Sequence, residues 1–432
     1  MLRRLVLTNS AWLIGDKLLR LGLGLLVTVW LARHFGPEAF GQWNYAIAFA
    51  AFFGAVATLG MDGVIVRELV REGADTGAIL GTGLWLRIVA SLVLGTVATA
   101  SMYWVRPNEW LPAVLVGMNA AVTVLQSAQM FDFHFQARMH SRPAVIATNA
   151  AYLVAMLLRL ALLVIDAPLE WFGATLVFEA ALAAGLLWRA WRSDTAGAVR
   201  WRWAASVARH LLRESWPLMF SSLAVVIYMR MDQVMLASMV GDHEVGQFSA
   251  ALRIAEVWYF IPMSIATAAF PAIIAKRRED FAAYERYVQA LYDGMAWLGI
   301  GVAVVATVSA GWIVPLLYGP AYAEAAAILT VQIWAGVAGS MSVVPSRWLL
   351  AEGLQHSGLF YTVAGAVVNV TLNLILIPEH GAIGAAWATV CTQVGLLPIQ
   401  LLLPKARRNF VLMARSLTAP WRAWKALAPR LI

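Results

Sequence analysis

Twelve apolar runs, each about 20 residues or longer, punctuate this 432-residue chain and decide what it can fold into. They fall at 9–33, 40–64, 77–104, 108–136, 143–166, 170–190, 214–238, 245–272, 287–317, 321–346, 357–378 and 381–403. Hydrocarbon offers no water to backbone N–H and C=O groups, so runs this long must satisfy those groups internally, as helices. Composition agrees: 61% of the residues are hydrophobic and 13% are charged, whereas soluble domains hold about 45–50% apolar and about 25% charged residues. A soluble globular fold and a disordered chain are both excluded on that ground. The expected fold class is an all-α polytopic membrane protein with about twelve transmembrane helices.

Short Gly, Pro and acidic connectors separate the spans in pairs, as in "HFGPEAFG", "VGDHEVG" and "IPEHGAIG". Placing the N-terminus inside assigns about 24 of the 32 basic residues to the cytoplasmic side and about 2, Arg33 and Arg106, to the outside. The inside set includes Arg67, Arg71, Arg138, Arg142 and Lys276–Arg278. The chain is therefore predicted to cross a membrane many times, with both termini cytoplasmic. The net charge of +8 does not point to nucleic acid, because the basic residues sit between apolar runs and face the anionic inner leaflet. Asp16, Lys17 and Arg20 interrupt the first run, so the start reads as an uncleaved helix rather than a signal peptide.

A polar, Arg-rich break at 189–213 splits the spans six and six. It predicts an N-terminal lobe over 1–188, a cytoplasmic linker over 189–213 and a C-terminal lobe over 214–404. A basic tail over 405–432, with Trp421 and Trp424 interleaved, is expected to lie on the inner leaflet. The halves echo one another: "FGPEAFGQWNYA" (35–46) aligns with "VGDHEVGQFSAA" (240–251) at an offset of 205 residues. Gly36/Gly241, Gly41/Gly246, Gln42/Gln247 and Ala46/Ala251 match, each time between the first and second span of a half. That is the signature of a parallel duplication, as in two-lobed transporters.

Catalytic equipment is sparse. The chain holds no P-loop, no H-E-x-x-H and no Asp-x-Asp. Its single cysteine, Cys391, excludes an intrachain disulfide and a cysteine-based metal cluster. Asp132 and His134 stand at i, i+2 and do not share a helix face, so they make a poor ligand pair. A non-enzyme without metal or cofactor is expected.

Charges inside the spans carry the functional reading. A charge at mid-bilayer costs roughly 2.5–3.5 kcal/mol on insertion scales, so it faces a cavity or a partner. The basic residues so placed are Lys17, Arg20, Arg87, Arg159, Arg230 and Arg253. As a cationic cavity lining they would attract a diphosphate, since guanidinium presents a planar donor fork and stays charged. The alternative is structural: ion pairs between helices and snorkelling at span ends. Glu179, in the middle of its span, is placed to pair with an arginine of the third or fifth span. Asp62, Asp132 and Asp293 read as local anchors near span ends. Asp16, Asp232 and Glu256 are the candidates for ion or proton coupling. Asn44, Asn119, Gln126, Asn149 and Asn373 are the amides placed to meet a polar cargo.

The motifs "ARHFGPEAFGQWNYAIAF", "LGMDGVIVREL" (59–69), "LLYGPAYAEAAAIL" (316–329) and "NVTLNLILIPEHGAIGAAWAT" (369–389) resemble those of the polysaccharide-export and O-antigen flippases. These belong to the multidrug/oligosaccharidyl-lipid/polysaccharide exporter superfamily, and the resemblance spans essentially the whole chain. It implies two six-helix lobes around a central cavity that opens alternately to each side. It also implies a polyprenyl-diphosphate-linked oligosaccharide as cargo, for O-antigen, exopolysaccharide or capsule, with membrane lipids, a polysaccharide polymerase and chain-length machinery as partners. Basic residues on the first and eighth helices line the cavity in such relatives, where Lys17, Arg20 and Arg253 stand here. Competing readings are a cation-coupled multidrug exporter of the same superfamily, which would favour an acidic, aromatic cavity, and a membrane-embedded glycan polymerase or ligase, which would carry a large outside loop.

Overall fold

The computed structural model describes the backbone of 2–195, 199–351, 355–402 and 407–418, with side chains except at 2–19, 195, 271, 274–275, 277–279, 344–359, 400 and 402. All regular structure among the described residues is helical. In chain order the α-helices are α1 (Leu2–Ala57), α2 (Asp62–Val70), α3 (Thr76–Val105), α4 (Trp110–Leu125), α5 (Gln129–Ala137), α6 (Arg142–Val164), α7 (Leu169–Thr195) and α8 (Ala205–Met239). They continue as α9 (Asp242–Val257), α10 (Phe260–Glu279), α11 (Phe281–Tyr318), α12 (Ala323–Gln332), α13 (Ala335–Ala351), α14 (Gln355–Leu396) and α15 (Arg407–Leu417). Two of them hold a pair of expected spans each, because α1 breaks at Gly36 and α14 breaks at Gly381. Elsewhere expected spans are divided: the fourth into α4 and α5, the eighth into α9 and α10, and the tenth into α12 and α13, the last two bending by 46° where they meet. About twelve crossings in two lobes account for this succession.

The chain forms two compact units, one holding Gln42–Arg230 and the helix up to Phe35, the other holding Gly36–Gly41 and the chain from Met231. In the first unit α4 packs against α3 and α7, and α6 against α7. Small residues let these backbones close: a methyl group on Gly95 would press to 2.8 Å from Cβ of Ala120, across the α3–α4 seam. Close packing of this kind substitutes for the hydrophobic effect, which does not act between helices in lipid. Near the linker, Met61, Ile65, Leu80, Met130 and Leu211 bury a cluster that joins α2, α3, α5 and α8.

The linker is more ordered than its composition suggests. Helix α7 extends to Thr195 and α8 starts at Ala205, so Val199–Ala204 is the extended part described within the expected 189–213 break. It lies on the start of α3. The Arg202 N–H donates to Gly77 O (3.2 Å), the Ala204 N–H to Thr82 Oγ1 (3.0 Å), and the Arg202 guanidinium pairs with Asp75. Side chains at Gly77 and Gly81 would collide with the backbone of Arg200 and Arg202. The Ala78 N–H, and then Arg202, hold the Asp75 carboxyl below its usual range.

In the second unit α9 packs on α12 and α14, and α11 on α12, α13 and α15. The repeated loops meet here. Gly36 (φ 74°) and Gly241 (φ 106°) turn the chain through backbone regions closed to most L-residues. A side chain on Gly41 would overlap the Asp242 carbonyl, and one on Gly246 would overlap the Pro37 carbonyl. Under the 205-residue offset Pro37 corresponds to Asp242 and Gly41 to Gly246, so the contact is reciprocal, as a two-fold relation requires. The same segment ties down two helix starts: Gln247 Oε1 accepts from the Ala325 N–H (3.0 Å), its Nε2 donates to Ala321 O (2.8 Å), and Glu244 Oε2 accepts from the Ala382 N–H (2.8 Å). A carboxylate facing first-turn N–H groups is favoured by the helix dipole.

Helix α15 falls within the tail expected to lie on the leaflet. One face of it buries Asn409, Leu412, Met413 and Ser416 against α11. Gln289 Nε2 donates to Leu412 O (2.9 Å), Trp297 Nε1 donates to Ser416 O (2.9 Å), and Arg408 pairs with Glu285. Trp421 and Trp424 lie outside the described residues.

Two outcomes follow from these ties. Gln247→Ala strands the Ala325 N–H and lowers thermal stability in detergent by roughly 1–3 kcal/mol, while Gly246→Val, which must push a backbone aside, costs at least about as much. The depressed Asp75 carboxyl contributes stability that is present above the ordinary carboxylate range and is lost as pH falls through the lowered value. Amide exchange at Arg202 and Ala204 is therefore expected to quicken at acidic pH beyond the intrinsic rate change, and Asp75→Asn to abolish that dependence.

Candidate functional site

Within the first unit, three helices bring charged and aromatic side chains together. Tyr152 and Arg159 are seven residues apart on α6 and share a face. Arg159 is 8% exposed. Its Nη2 donates to Glu179 Oε2 at 2.7 Å and its Nε to Thr175 Oγ1 at 2.9 Å, both from α7. Thr175 in turn donates to Phe172 O at 2.7 Å, so its oxygen is oriented to accept. This is a buried, fully directed ion pair of the kind that hydrocarbon demands. Glu179 thus pairs with the arginine of the fifth span, one of the two partners its position predicts.

Arg20, on α1, stacks its guanidinium 4.9 Å from the centre of the Tyr152 ring. The Tyr152 hydroxyl donates to Arg20 O at 3.2 Å, and Gly24, one turn on, leaves room for that hydroxyl. Tyr152 lies within electrostatic reach of Arg20, Arg159 and Glu179 at once. On the same stretch of α6 the Asn149 Oδ1 is buried without a hydrogen-bond partner among the described residues. The cluster offers guanidinium for an anion, an aromatic face, and an amide acceptor. Tyr152 and Thr175 carry no distinguishing mark in the sequence. Their only signal is spacing, Tyr152 two turns before Arg159 and Thr175 one turn before Glu179.

The other sequence candidates stand elsewhere. Arg87, 4% exposed, donates to Asp62 Oδ1 (3.1 Å) and Gln129 Oε1 (3.5 Å) beneath the Phe133 ring, and so clasps α3 to α2 and α5. Arg230 is half-buried in α8. In the second unit Arg253 lies within electrostatic reach of Tyr318, and Glu256 within reach of Tyr259. Asp232 is buried, its Oδ1 accepting from the Gln233 N–H at 2.9 Å. The side chains of Asp16 and Lys17 lie outside the described residues. Among the other amides, Asn119 donates to Leu115 O (2.8 Å) and Asn373 to Asn369 Oδ1 (3.0 Å). His134 meets Asp194 (3.0 Å), not Asp132, and among the described residues no group of three or more acidic, His or Cys side chains could hold a metal.

Known proteins share this fold. The family described as "Polysaccharide biosynthesis protein" matches residues 6–276, and the family described as "MatE" matches residues 217–375. The "Probable flippase AglR" of Haloferax volcanii is 28% identical over 185 residues, 41% of this chain and 38% of that relative, so the match spans well under half of the relative's length. Among solved structures, the lipid II flippase MurJ in an inward closed conformation superposes with a TM-score of 0.72 at 13% identity, covering 96% of this chain and 92% of that one. An inward-facing multidrug resistance MATE family transporter of the MOP superfamily gives 0.68 at 15% identity, covering 92% and 95%. At these identities the likeness establishes the fold.

The ion pair can be tested apart from any transport. Arg159→Ala leaves the partly buried Glu179 without the guanidinium it faces and is expected to cost roughly 1.5–3 kcal/mol, read as thermal unfolding in detergent. The double change Arg159→Met with Glu179→Met should recover most of that loss.

Proposed function

Because the chain belongs to the polysaccharide biosynthesis protein family, we propose that it is a flippase for a polyprenyl-diphosphate-linked oligosaccharide. In this reading it carries one repeat unit from the inner to the outer leaflet of a bacterial inner membrane by alternating access, for O-antigen, exopolysaccharide or capsule synthesis. Both termini are cytoplasmic, and a polymerase and chain-length machinery take over outside. The observation that carries the reading is the Arg20–Tyr152–Arg159 cluster with Asn149 beside it.

The physics is that of replaced hydration. A diphosphate with several sugars cannot cross about 30 Å of hydrocarbon unaided, because stripping its water is costly. A guanidinium stacked on an aromatic ring keeps its in-plane N–H donors directed outward, so Arg20 can bond phosphate oxygens without leaving Tyr152. Tyr152 and Asn149 suit the apolar face and the hydroxyl groups of a sugar. Arg253, Arg230 and Lys17 are proposed as further cationic stations. Arg87 and Arg159 act through the pairs they hold, with Asp62 and Glu179. Asp16, Asp232 and Glu256 remain the proposed positions for ion or proton coupling.

The match of residues 217–375 to the MatE family favours a second reading, a cation-coupled drug exporter. Complementation of a strain lacking its own translocase separates the two. With membrane-inserted protein at wild-type level, Arg20→Ala and Arg253→Ala are each expected to lower surface glycan about tenfold or more, and Arg20→Lys to restore part of it. Wild-type glycan from the double Ala variant overturns the proposed headgroup site. Raised drug resistance with no rescue of glycan at all supports the exporter instead.

A further inference from the structure

The first unit carries a second feature, separate from the charged cluster and independent of what cargo is moved. A groove of 740 Å³ opens beside the linker, lined by Trp85, Val89 and Val93 of α3 together with Leu59, Trp203 and Leu212. Trp85, Val89 and Val93 repeat every four residues as one exposed stripe, and Trp203 and Leu212 are exposed as well. From Trp85 to Leu94, its last lining residue, the groove follows α3 for about 14 Å at 1.5 Å per residue. That is about half of a ~30 Å hydrocarbon core, the depth of one leaflet.

Its linker end is cationic. Arg209 stands three residues before Leu212 on α8, on the same face, and Arg213 adjoins it; both are exposed and neither makes an ion pair among the described residues. The acids nearby are already engaged: Glu214 by Arg67, Glu68 by Arg67, Arg71 and His210, and Asp75 by Arg202. Trp203 is held in place between Arg202 and Ala204, both of which are bonded to α3. A tryptophan set at the boundary between a basic end and an apolar trench marks a membrane interface.

We propose that this groove is a binding site for an anionic glycerophospholipid of the inner leaflet, one acyl chain lying along Trp85, Val89 and Val93 and its phosphate between Arg209 and Arg213. Depth favours an acyl chain over the much longer isoprenoid of a polyprenyl lipid, and charge favours an anionic over a zwitterionic headgroup. The bound lipid would brace the linker against α3 and so make the protein's stability depend on lipid composition.

Native mass spectrometry of the full chain, released from membranes or exchanged into phosphatidylglycerol, phosphatidylethanolamine or polyprenyl phosphate, tests this. Wild-type protein is expected to retain phosphatidylglycerol over phosphatidylethanolamine. Arg209→Gln with Arg213→Gln, both on the surface, should weaken retention roughly thirtyfold, each cation being worth about a factor of five. Ala90→Trp, which fills the trench, should remove the bound lipid while leaving surface-glycan rescue in place. Equal retention of the two phospholipids overturns the proposal, as does unchanged retention in the Arg209→Gln/Arg213→Gln protein. Preferential capture of polyprenyl phosphate lost in Ala90→Trp also overturns it, and assigns the groove to that lipid.

Discussion

Hydrocarbon solvates nothing polar, and most features of this chain answer to that fact. Hydroxyls inside the helices fold back onto the carbonyl one turn earlier: Thr96 onto Leu92 O (2.8 Å), Thr99 onto Gly95 O (2.9 Å), Thr371 onto Val367 O (2.8 Å) and Thr392 onto Ala388 O (2.7 Å). Charges obey the same rule at higher cost. Arg159 and Arg87 each reach a carboxylate on another helix, so their pairs lock helices together as well as neutralising charge. Against that background a buried polar atom without a partner is conspicuous. Asn149 Oδ1 is one, and it lies beside the residues argued to meet the cargo. In the second unit the hydroxyl groups of Tyr292 and Tyr318 and the Oε1 of Gln332 are others.

Legibility in the sequence followed the same physics. Spans were readable because hydropathy over about 20 residues reports the one property that the bilayer selects. The breaks at Gly36 and Gly241 were readable because the loop repeats with its glycines in register, and the reciprocal seating of Gly41 and Gly246 explains why both positions lack a side chain. The partner of Glu179 was narrowed to two helices because an acid in mid-span has few ways to be satisfied. Asp62 was harder. It sits near a span end, where water would serve as well, and only the fold brings Arg87 to it. Tyr152 was invisible because an aromatic in an apolar helix resembles ordinary packing.

The helix Arg407–Leu417 shows a different limit. Its alternation of basic and apolar residues fits a lipid surface and a protein surface equally well, since amphipathicity specifies an apolar neighbour without naming it. On the protein side the neighbour is a donor set on α11, Gln289 and Trp297, placed to satisfy the carbonyls of Leu412 and Ser416. The linker makes the same point. Its arginines predicted a cytoplasmic linker and nothing of its contacts, and Gly77 and Gly81, unremarkable in an apolar run, are what allow it to lie on α3.

The two kinds of arginine contact in the first unit suggest how one site can be both stable and exchangeable. Arg159 is bound to a carboxylate, and pulling it toward a ligand would leave the partly buried Glu179 uncompensated, a loss of roughly 1.5–3 kcal/mol. Arg20 is set against the face of Tyr152, a contact worth about 0.5–2 kcal/mol. In the proposed headgroup site, a phosphate would meet Arg20 with Tyr152 still in place. Tyr152 and Arg159 share one face of α6, so the ring that Arg20 faces stands two turns from the fixed pair. A transporter needs that order of strengths, since a headgroup bound as tightly as Glu179 is held would never be released.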